Sequence, residues 1–332
     1  MVSDAPLPLT MSSLPPSATF GDALAWATGV FGRAGISSPR TEAEWLLSGL
    51  FGTHRAGLYL SLKQRLISEQ QQRLLEAVRR RCLRMPLQQI LGETEFFSLS
   101  FEVTPSVLIP RPETEILVET LIERLKDRPA PHILDLGTGS GAIAVALAHT
   151  LPKSRVVATD LSKEALRVAR TNAGIHRTET RIAFVQGNLF RPFPRRPIFH
   201  AIASNPPYIP SEELPYLQPE VANFEPRIAL DGGADGLRFY RPIIAQADAR
   251  LFPGGWLILE VGQGQAGRVA SLLLKSPGFG EPEIVRDLVG RDRVLLAQKS
   301  GRIRGLSLGK NSHDASIETV DKDGPFCYFL TI

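Results

Sequence analysis

The sequence predicts an α/β protein in which a doubly wound sheet follows a small helical bundle. Short apolar runs alternate with amphipathic segments from Pro131 onward, which is typical of parallel strands connected by helices. Four predicted strands in succession end in a polar residue, and these are Asp135, Asp160, Asn188 and Asn205. Ligands bind at the carboxyl edge of the strands in open α/β sheets. We therefore expect these four side chains to line one site.

Bulk composition is that of an ordinary soluble globular protein. The 332 residues are 43% hydrophobic and 22% charged, enough for one large domain or two ordinary ones. A net charge of +4 is compatible with an acidic partner or nucleic acid and diagnostic of neither. The two cysteines, Cys82 and Cys327, form no disulfide framework and no metal spacing, so we expect no metal and a cytoplasmic location. No apolar run is long enough to span a membrane.

The N-terminal part is predicted to be a leader followed by helices. Residues 1–19 are rich in Pro and Ser and are expected to be a disordered leader, with Met11 an alternative start. Residues 20–91 show helical spacing of apolar residues in three segments, the last at 68–82. Ser38 and Thr41 are candidate caps of the second helix, and Glu44 follows Thr41 at capping-box spacing.

The end of the third predicted helix is strongly basic, with Arg79, Arg80, Arg81 and Arg84. Such a run is either a solvated helix face or a docking surface for an acidic protein or an RNA. The sequence alone leaves both alternatives open.

Residues 92–112 are predicted to be a β-hairpin linker, because aromatic and apolar residues alternate there with small or polar ones. Pro112 suits the first turn of a helix that opens the main domain, residues 113–299. Arg111 is expected either to pair with Glu113 or Glu115 or to line a cofactor cleft. Later apolar runs at 251–261 and 293–297 predict the last strands, the final one reversed, with a helix at 266–274 between them.

A glycine-rich turn follows the first strand of the sheet, with the sequence Asp135-Leu136-Gly137-Thr138-Gly139-Ser140-Gly141. Its glycines allow a sharp turn and close approach to a ligand. The spacing fits neither the dinucleotide fingerprint nor a phosphate loop. An acidic residue at the strand end would repel a pyrophosphate and favour a cationic ligand, such as an amino group beside a sulfonium.

The next two strand ends carry candidate cofactor contacts. Asp160 lies about 20 residues beyond the glycines, the usual distance for a carboxylate that binds a ribose diol, and the alternative is a helix N-cap. Asn188 can bond an adenine amine and Leu189 can pack on its ring, unless this segment is a plain turn. His176, in a polar loop, is expected on the surface.

The fourth strand ends in Asn205-Pro206-Pro207-Tyr208, a corner with few hydrogen-bond donors. Two consecutive prolines remove two backbone N–H groups, which leaves the Asn205 side-chain oxygen and the Pro206 carbonyl as acceptors. Two acceptors beside an aromatic ring suit a planar nitrogen that carries two hydrogens, such as a carboxamide or an exocyclic base amine. The alternative is a rigid loop after a strand.

Together these motifs resemble class I S-adenosylmethionine-dependent methyltransferases that act on planar nitrogens. Longer stretches narrow the resemblance: residues 108–115, 204–209, 225–230 and 232–237 are similar to the peptide chain release factor N5-glutamine methyltransferases, the PrmC/HemK family. The similarity extends from about residue 20 to 298. Residues 300–332 lie outside it, and we assign this tail no function.

This resemblance implies a seven-stranded Rossmann-like sheet, S-adenosyl-L-methionine as cofactor, and the glutamine of the Gly-Gly-Gln motif of class I release factors as substrate. The implied cofactor contacts are Asp135, Gly137, Thr138, Gly139, Ser140, Gly141, Asp160, Asn188, Leu189 and Asn205. The implied substrate contacts are Asn205, Pro206, Pro207 and Tyr208, of which Asn205, Pro206 and Tyr208 are the predicted catalytic residues. Asn188 stands where the family usually has Asp, and Leu189 where an aromatic residue can occur.

Three other functions remain as alternatives: a glutamine methyltransferase of a ribosomal protein, an adenine-N6 DNA methyltransferase, and a non-enzymatic binding module. A DNA enzyme would need a region that recognises its target and stabilises a flipped base, and we identify none. We expect the helices at 20–91 to dock the protein substrate. We also expect a monomer that binds neither membrane nor nucleic acid directly.

Overall fold

A computed structural model of the protein describes residues 14–300. Five helices form the N-terminal part of this range. They are α1 (Phe20–Arg33), α2 (Pro39–Leu50), α3 (Arg55–Leu60), α4 (Ser68–Cys82) and α5 (Leu87–Leu91). The three predicted helices correspond to α1, α2 and α4. Neither α3 nor α5 was predicted, because helices of six and five residues are too short to show an amphipathic repeat.

The predicted leader does not extend to residue 19. Leu14 and Ala18 are buried in the core of the helical part. Thr19 caps α1 with a capping box, in which its Oγ1 accepts from Asp22 N at 3.2 Å and the Asp22 carboxylate accepts from Thr19 N at 2.9 Å. The rest of the predicted leader, residues 1–13, and most of the tail, residues 301–332, lie outside the described residues.

The predicted caps of α2 are only partly confirmed. Ser38 is at the N-cap position with a φ of 52°, but its side chain makes no capping bond, and Thr41 lies inside the helix. Glu44 is buried and accepts hydrogen bonds from Arg40 at 2.8 Å and from the Tyr59 hydroxyl at 2.6 Å. The local spacing predicts a capping role for Glu44. In the structure Glu44 is instead buried, and Tyr59 of α3 is one of its hydrogen-bond partners.

A hairpin and a helix lead into the main domain, as predicted. The strands β1 (Glu93–Phe96) and β2 (Leu99–Glu102) pair antiparallel, and α6 (Pro112–Leu125) begins at its proline. His176 is half-buried rather than a free surface residue: its Nε2 lies 2.6 Å from the Ser100 carbonyl and its ring contacts Phe101. It therefore connects the hairpin to the end of a helix of the main domain.

The main domain is a seven-stranded sheet in the order β5-β4-β3-β6-β7-β9-β8. All neighbouring strands are parallel except β9, which is antiparallel to both β7 and β8, so the predicted reversal of the last strand is confirmed. Only the exposed edge strand β8 was not predicted. The strands are β3 (His132–Leu136), β4 (Arg155–Asp160), β5 (Ile182–Gln186), β6 (Phe199–Ser204), β7 (Leu251–Glu260), β8 (Glu283–Arg286) and β9 (Asp292–Gln298).

Helices connect these strands and cover the sheet. They are α7 (Ala142–Thr150), α8 (Lys163–Ile175), α9 (Pro219–Phe224), α10 (Tyr240–Ala247) and α11 (Ala266–Leu274). Ile133, Val156 and Ala201 pack with α6 and α7 in one core, and the intervening strand residues are buried as well. This burial on both faces is the pattern expected of parallel strands, and it leaves the carboxyl ends of the strands as the open edge. No helix among residues 14–300 is long and apolar enough to cross a membrane.

The basic end of α4 is neither a solvated helix face throughout nor a docking surface throughout. Arg79 and Arg80 are solvated and pair with Glu76. Arg81 is buried, and it pairs with Glu42 at 2.9 Å and with Glu220 of α9 at 3.0 Å. Arg84 also pairs with Glu220, at 2.9 Å. Two of the four arginines therefore attach the N-terminal helices to the main domain.

Candidate active site

A cleft opens at the carboxyl edge of the sheet, where β3, β4, β5 and β6 end. It is closed on the other side by the segment after the hairpin and by the loop that precedes α10. The lining residues are Ser106, Val107, Leu108, Leu136, Gly137, Gly139, Thr159, Asp160, Leu161, Ser162, Ala165, Gly187, Asn188, Leu189, Ser204, Asn205, Pro206, Pro207, Pro226, Ile228, Ala229 and Phe239.

Most of the predicted site residues meet in this cleft. Those that line it are Gly137, Gly139, Asp160, Asn188, Leu189, Asn205, Pro206 and Pro207. The others do not line it, and they are Asp135, Thr138, Ser140, Gly141 and Tyr208. The ends of four strands therefore meet at the cleft, as predicted. The five predicted residues that do not line the cleft lie beside those that do.

Two glycines of the turn after β3 leave open space toward the cleft. Gly137 and Gly139 have φ values of +74° and +56°, and a Cβ added to either would meet no atom within 4 Å. Gly141 differs, because its Cβ would lie 3.0 Å from that of Ala169. Its role is therefore close packing of α7 against α8, whereas at the first two glycines the space that a side chain would occupy is empty.

Asp135 lies buried beneath this turn. Its Oδ2 accepts a hydrogen bond from Thr138 Oγ1 at 2.6 Å, and its Oδ1 has no hydrogen-bond partner among the described residues. The pKa of Asp135 is raised to about 7, chiefly by burial and also by the nearby charge of Asp160. An unpartnered buried carboxylate oxygen is costly unless a ligand donor reaches it, which fits the predicted cationic amino group.

Asp160 ends β4 and faces the cleft. Its Oδ2 accepts from Gly139 N and its Oδ1 from Ser162 N, both at 2.9 Å. Each oxygen keeps a further lone pair for a diol. Burial raises the pKa of this carboxyl. The alternative role as helix N-cap is wrong, since Ser162 is the residue that caps α8.

Asn188 and Leu189 follow β5 and both line the cleft. Leu189 has a φ of 49°, a left-handed conformation that is uncommon for a residue other than glycine. Asn188 is exposed, so its amide is accessible to a ligand in the cleft. Their adenine contacts remain predictions.

The corner after β6 presents acceptors to the cleft. Asn205 donates through Nδ2 to Thr114 Oγ1 at 3.2 Å, which leaves its Oδ1 without a hydrogen bond to any residue between 14 and 300. The carbonyl of Pro206 likewise receives no hydrogen bond within that range. Two free acceptors at adjacent residues fit a planar NH2 group, as the proline pair predicted.

Tyr208 lies behind the corner, close to three glycines. A Cβ on Gly232 would lie 2.7 Å from the Tyr208 Cα, and one on Gly236 would lie 2.5 Å from its carbonyl oxygen. The Tyr208 ring lies beside Gly262, whose Cβ would come within 2.8 Å of Cδ2. The Gly-rich stretch at 232–237 therefore has a physical purpose: its backbone supports the corner at van der Waals distance.

Two polar residues near the site have partners that the sequence did not predict. Arg111 pairs with Glu225 at 2.5 Å rather than with Glu113 or Glu115, and it lies outside the cofactor cleft. Asn172 of α8 bonds the carbonyl of Ser140 at 2.8 Å and also the hairpin. Only a buried asparagine on the apolar face of a helix could have signalled this role.

A second cavity of about 330 Å³ lies where the N-terminal helices meet α9. Charged residues of both parts line it, among them Arg81, Arg84, Glu220 and Glu225. Pro226, the neighbour of Glu225, lines the cleft, so the two cavities adjoin.

The sheet order with a reversed strand, the open glycine turn and the acidic strand ends define an S-adenosylmethionine-dependent methyltransferase with a Rossmann-like fold. Residues 22–92 match the PrmC N-terminal domain, and residues 112–216 match the methyltransferase small domain. The chain belongs to the release factor glutamine methyltransferase family.

Two relatives carry that assignment. The release factor glutamine methyltransferase of Geobacter sulfurreducens is 45% identical over 86% of this chain and 98% of its own length. That of Moorella thermoacetica is 42% identical over 85% of this chain and 99% of its own. Among solved structures, the hMettl16 catalytic domain in complex with the MAT2A 3'UTR hairpin 6 is 18% identical with a TM-score of 0.51, covering 71% of this chain and 83% of that one. This likeness concerns the fold alone.

Proposed function

We propose that this protein transfers a methyl group from S-adenosyl-L-methionine to the side-chain amide nitrogen of the glutamine in the Gly-Gly-Gln motif of class I release factors. The supporting observation is the corner after β6, where Asn205 Oδ1 and the Pro206 carbonyl are free acceptors beside the open glycine turn. The relatives bear the name of this activity.

The cofactor would lie along the strand ends. The proposed contacts are Gly137 and Gly139 beneath its methionine part, Asp135 for its amino group, Asp160 for its ribose diol, and Asn188 with Leu189 for its adenine. Thr138, Ser140 and Gly141 hold the turn in place through their packing and hydrogen bonds. When bound, the cofactor supplies a sulfonium methyl group to an in-line displacement.

The protein's own residues would orient and activate the amide. An amide nitrogen is a poor nucleophile because its lone pair is delocalised into the carbonyl. Asn205 Oδ1 and the Pro206 carbonyl bind its two N–H groups and favour a pyramidal nitrogen as the transition state forms. Pro207 keeps the corner rigid. Tyr208, which was predicted to contact the substrate, lies behind the corner and would support it from there. No covalent enzyme intermediate is required.

The domain division is part of the proposal. Residues 20–91 dock the release factor, and residues 113–299 perform the methyl transfer. Residues 92–112 connect these two domains. The charged cavity that adjoins the cleft supports docking at this junction. We further propose a cytoplasmic monomer that acts on protein rather than on nucleic acid.

Mass spectrometry of the release factor provides the test. The factor is incubated with the cofactor, with and without this protein, and the peptide with the Gly-Gly-Gln motif is analysed. We expect a gain of one methyl group on the glutamine side chain only when the protein is present. An unmodified peptide would contradict the proposal, and methylation of a DNA duplex or a ribosomal protein in parallel reactions would support one of the alternatives.

A further inference from the structure

Three polar side chains meet where β6 and β7 end. Ser204 pairs with Leu259 in this parallel register, so the next residues, Asn205 just after β6 and Glu260 at the end of β7, lie side by side at the edge of the sheet. Thr114 reaches them from the first turn of α6, whose start is fixed by Pro112. The three residues come from distant parts of the chain, and only the sheet register brings them together.

Two hydrogen bonds connect these side chains in series. Thr114 Oγ1 donates to Glu260 Oε2 at 2.6 Å, and Asn205 Nδ2 donates to Thr114 Oγ1 at 3.2 Å. Thr114 is 5% exposed and Glu260 is 1% exposed, so water does not replace these contacts. Burying polar side chains costs free energy, which their hydrogen bonds must offset. Packing alone does not require polar side chains here, so the series indicates a further purpose.

The direction of the series follows from the number of protons. A hydroxyl has one proton, and as long as Glu260 is ionised its carboxylate can only accept, so in that state the proton of Thr114 points to Glu260. The Thr114 oxygen that remains is an acceptor, and only the NH2 end of Asn205 can face it. The Asn205 oxygen is thereby turned to the opposite side, where the cleft lies.

Without this constraint the asparagine would have two orientations of similar energy. Rotation of its amide by half a turn exchanges Oδ1 and Nδ2, which differ little in size. In the second orientation an NH2 group would face the NH2 of a substrate amide, donor against donor. That orientation could neither bind nor activate the nitrogen.

We propose that Thr114 and Glu260 are positioning residues that hold the Asn205 amide with its oxygen toward the substrate. This inference rests on the proposed function, since it concerns the acceptor that the transfer requires. Neither residue contacts the cleft directly, and both act through Asn205.

The surroundings of Glu260 support a further consequence. The titratable and charged groups near it are Arg293 on β9, Arg111 and Glu113 at the start of α6, Tyr208 of the corner and Tyr240 on α10. Burial raises the pKa of Glu260 to about 7, against the opposing effects of Thr114, Arg293 and Arg111. A protonated Glu260 would donate a hydrogen bond to Thr114 Oγ1. The hydroxyl of Thr114 would then donate to the Asn205 oxygen, so that donor and acceptor exchange roles in both hydrogen bonds.

Substitution of Thr114 provides the kinetic test. Thr114→Val keeps the shape and removes both hydrogen bonds, whereas Thr114→Ser keeps the hydroxyl. Single-turnover methylation of the release factor should fall at least ~10-fold in the valine variant, with cofactor binding changed less than about threefold. The serine variant should retain most of the activity. Equal rates for valine, serine and wild type would overturn the proposal.

A neutron structure of the wild-type protein and of Thr114→Val decides the orientation independently of turnover. We expect deuterium on the Asn205 atom that faces Thr114 in the wild type, and both orientations in the variant. An oxygen facing Thr114 in the wild type would overturn the proposal. Failure of the wild type to methylate glutamine would instead refute the proposed function, while the neutron map would still show whether Thr114 orients Asn205.

Discussion

The guanidinium of Arg81 lies 3.0 Å from the carboxylate of Glu220, which joins α4 of the N-terminal helices to α9 of the main domain. Arg81 is 4% exposed, and its second partner is Glu42. Arg81→Met should lower the free energy of unfolding by about 1 to 3 kcal/mol, because two carboxylates lose a buried charged partner. Urea unfolding measures this change.

Arg80→Met is the matched control. Arg80 lies one residue away and is half-exposed, and among residues 14–300 its ion pair is with Glu76 of the same helix. Its loss should change stability by less than about 0.5 kcal/mol. Equal effects of the two substitutions would show that the contact with Glu220 does not stabilise the protein.

Asn205→Ala tests the acceptor at the corner. We expect turnover to fall at least ~100-fold, the scale of losing one preorganised polar contact in an active site. Cofactor affinity should weaken only modestly, because the methionine, ribose and adenine contacts come from other strands. Single-turnover kinetics and calorimetry separate the two effects. Near-normal turnover would remove Asn205 from the mechanism.

Asp160→Ala should weaken cofactor binding by about 10- to 100-fold, because a charged acceptor for the ribose diol is lost together with its bonds to Gly139 and Ser162. Calorimetry with the cofactor alone measures this change. Glu164→Ala removes a nearby exposed carboxylate from α8 and should leave affinity within about twofold. Equal losses in both variants would indicate a general effect of charge.

Gly232→Ala should damage catalysis without a direct contact to the cleft. Its Cβ would lie 2.7 Å from the Tyr208 Cα, so the corner must move. A displacement of about 1 Å can lower turnover by about 100-fold, while cofactor binding should persist. Gly267→Ala is the control, since its Cβ meets no atom within 4 Å and alanine favours the helix. Full activity of Gly232→Ala would contradict the supporting role of this glycine.

The stability of the cofactor-free protein should fall as pH rises from about 4 to 7. Burial raises the pKa of Asp135 to about 7 from its ordinary value of 3.8, so the folded state binds more protons than the unfolded state in this window. Asp135→Asn should remove part of the decline, on the order of 4 kcal/mol at most. Urea unfolding at pH 5 and pH 8 measures the difference.

The remaining decline in that variant would come mainly from Glu260, whose pKa burial also raises to about 7. Asp160 and Glu225, whose pKa values burial raises too, would add to it. Asp127→Asn, which removes one carboxylate at an exposed position, is the matched control. An identical pH dependence in wild type and Asp135→Asn would mean that Asp135 is ionised throughout this range.

Much of the fold and the location of several candidate site residues could be predicted because the signals are local. A strand of five residues, a glycine turn and a helix are specified within about 20 residues, and this sufficed to predict the turn from Asp135 to Gly141 and the strand end at Asp160. The consecutive prolines determine the corner at Asn205 without any partner. The capping box predicted at Thr41 and Glu44 is wrong for the same reason, since a local pattern does not reveal that Glu44 is buried and bonded to Tyr59.

By itself, then, the sequence determined which residues stand at the strand ends and what chemistry they offer, because periodicity and turn geometry act between neighbours along the chain. Only the tertiary structure decided how those residues are held. Thr114 orients Asn205, Gly232 supports Tyr208, and Arg81 meets Glu220 across the two parts of the protein. These contacts depend on strand register and helix packing, which bring together residues whose spacing in the sequence carries no signal.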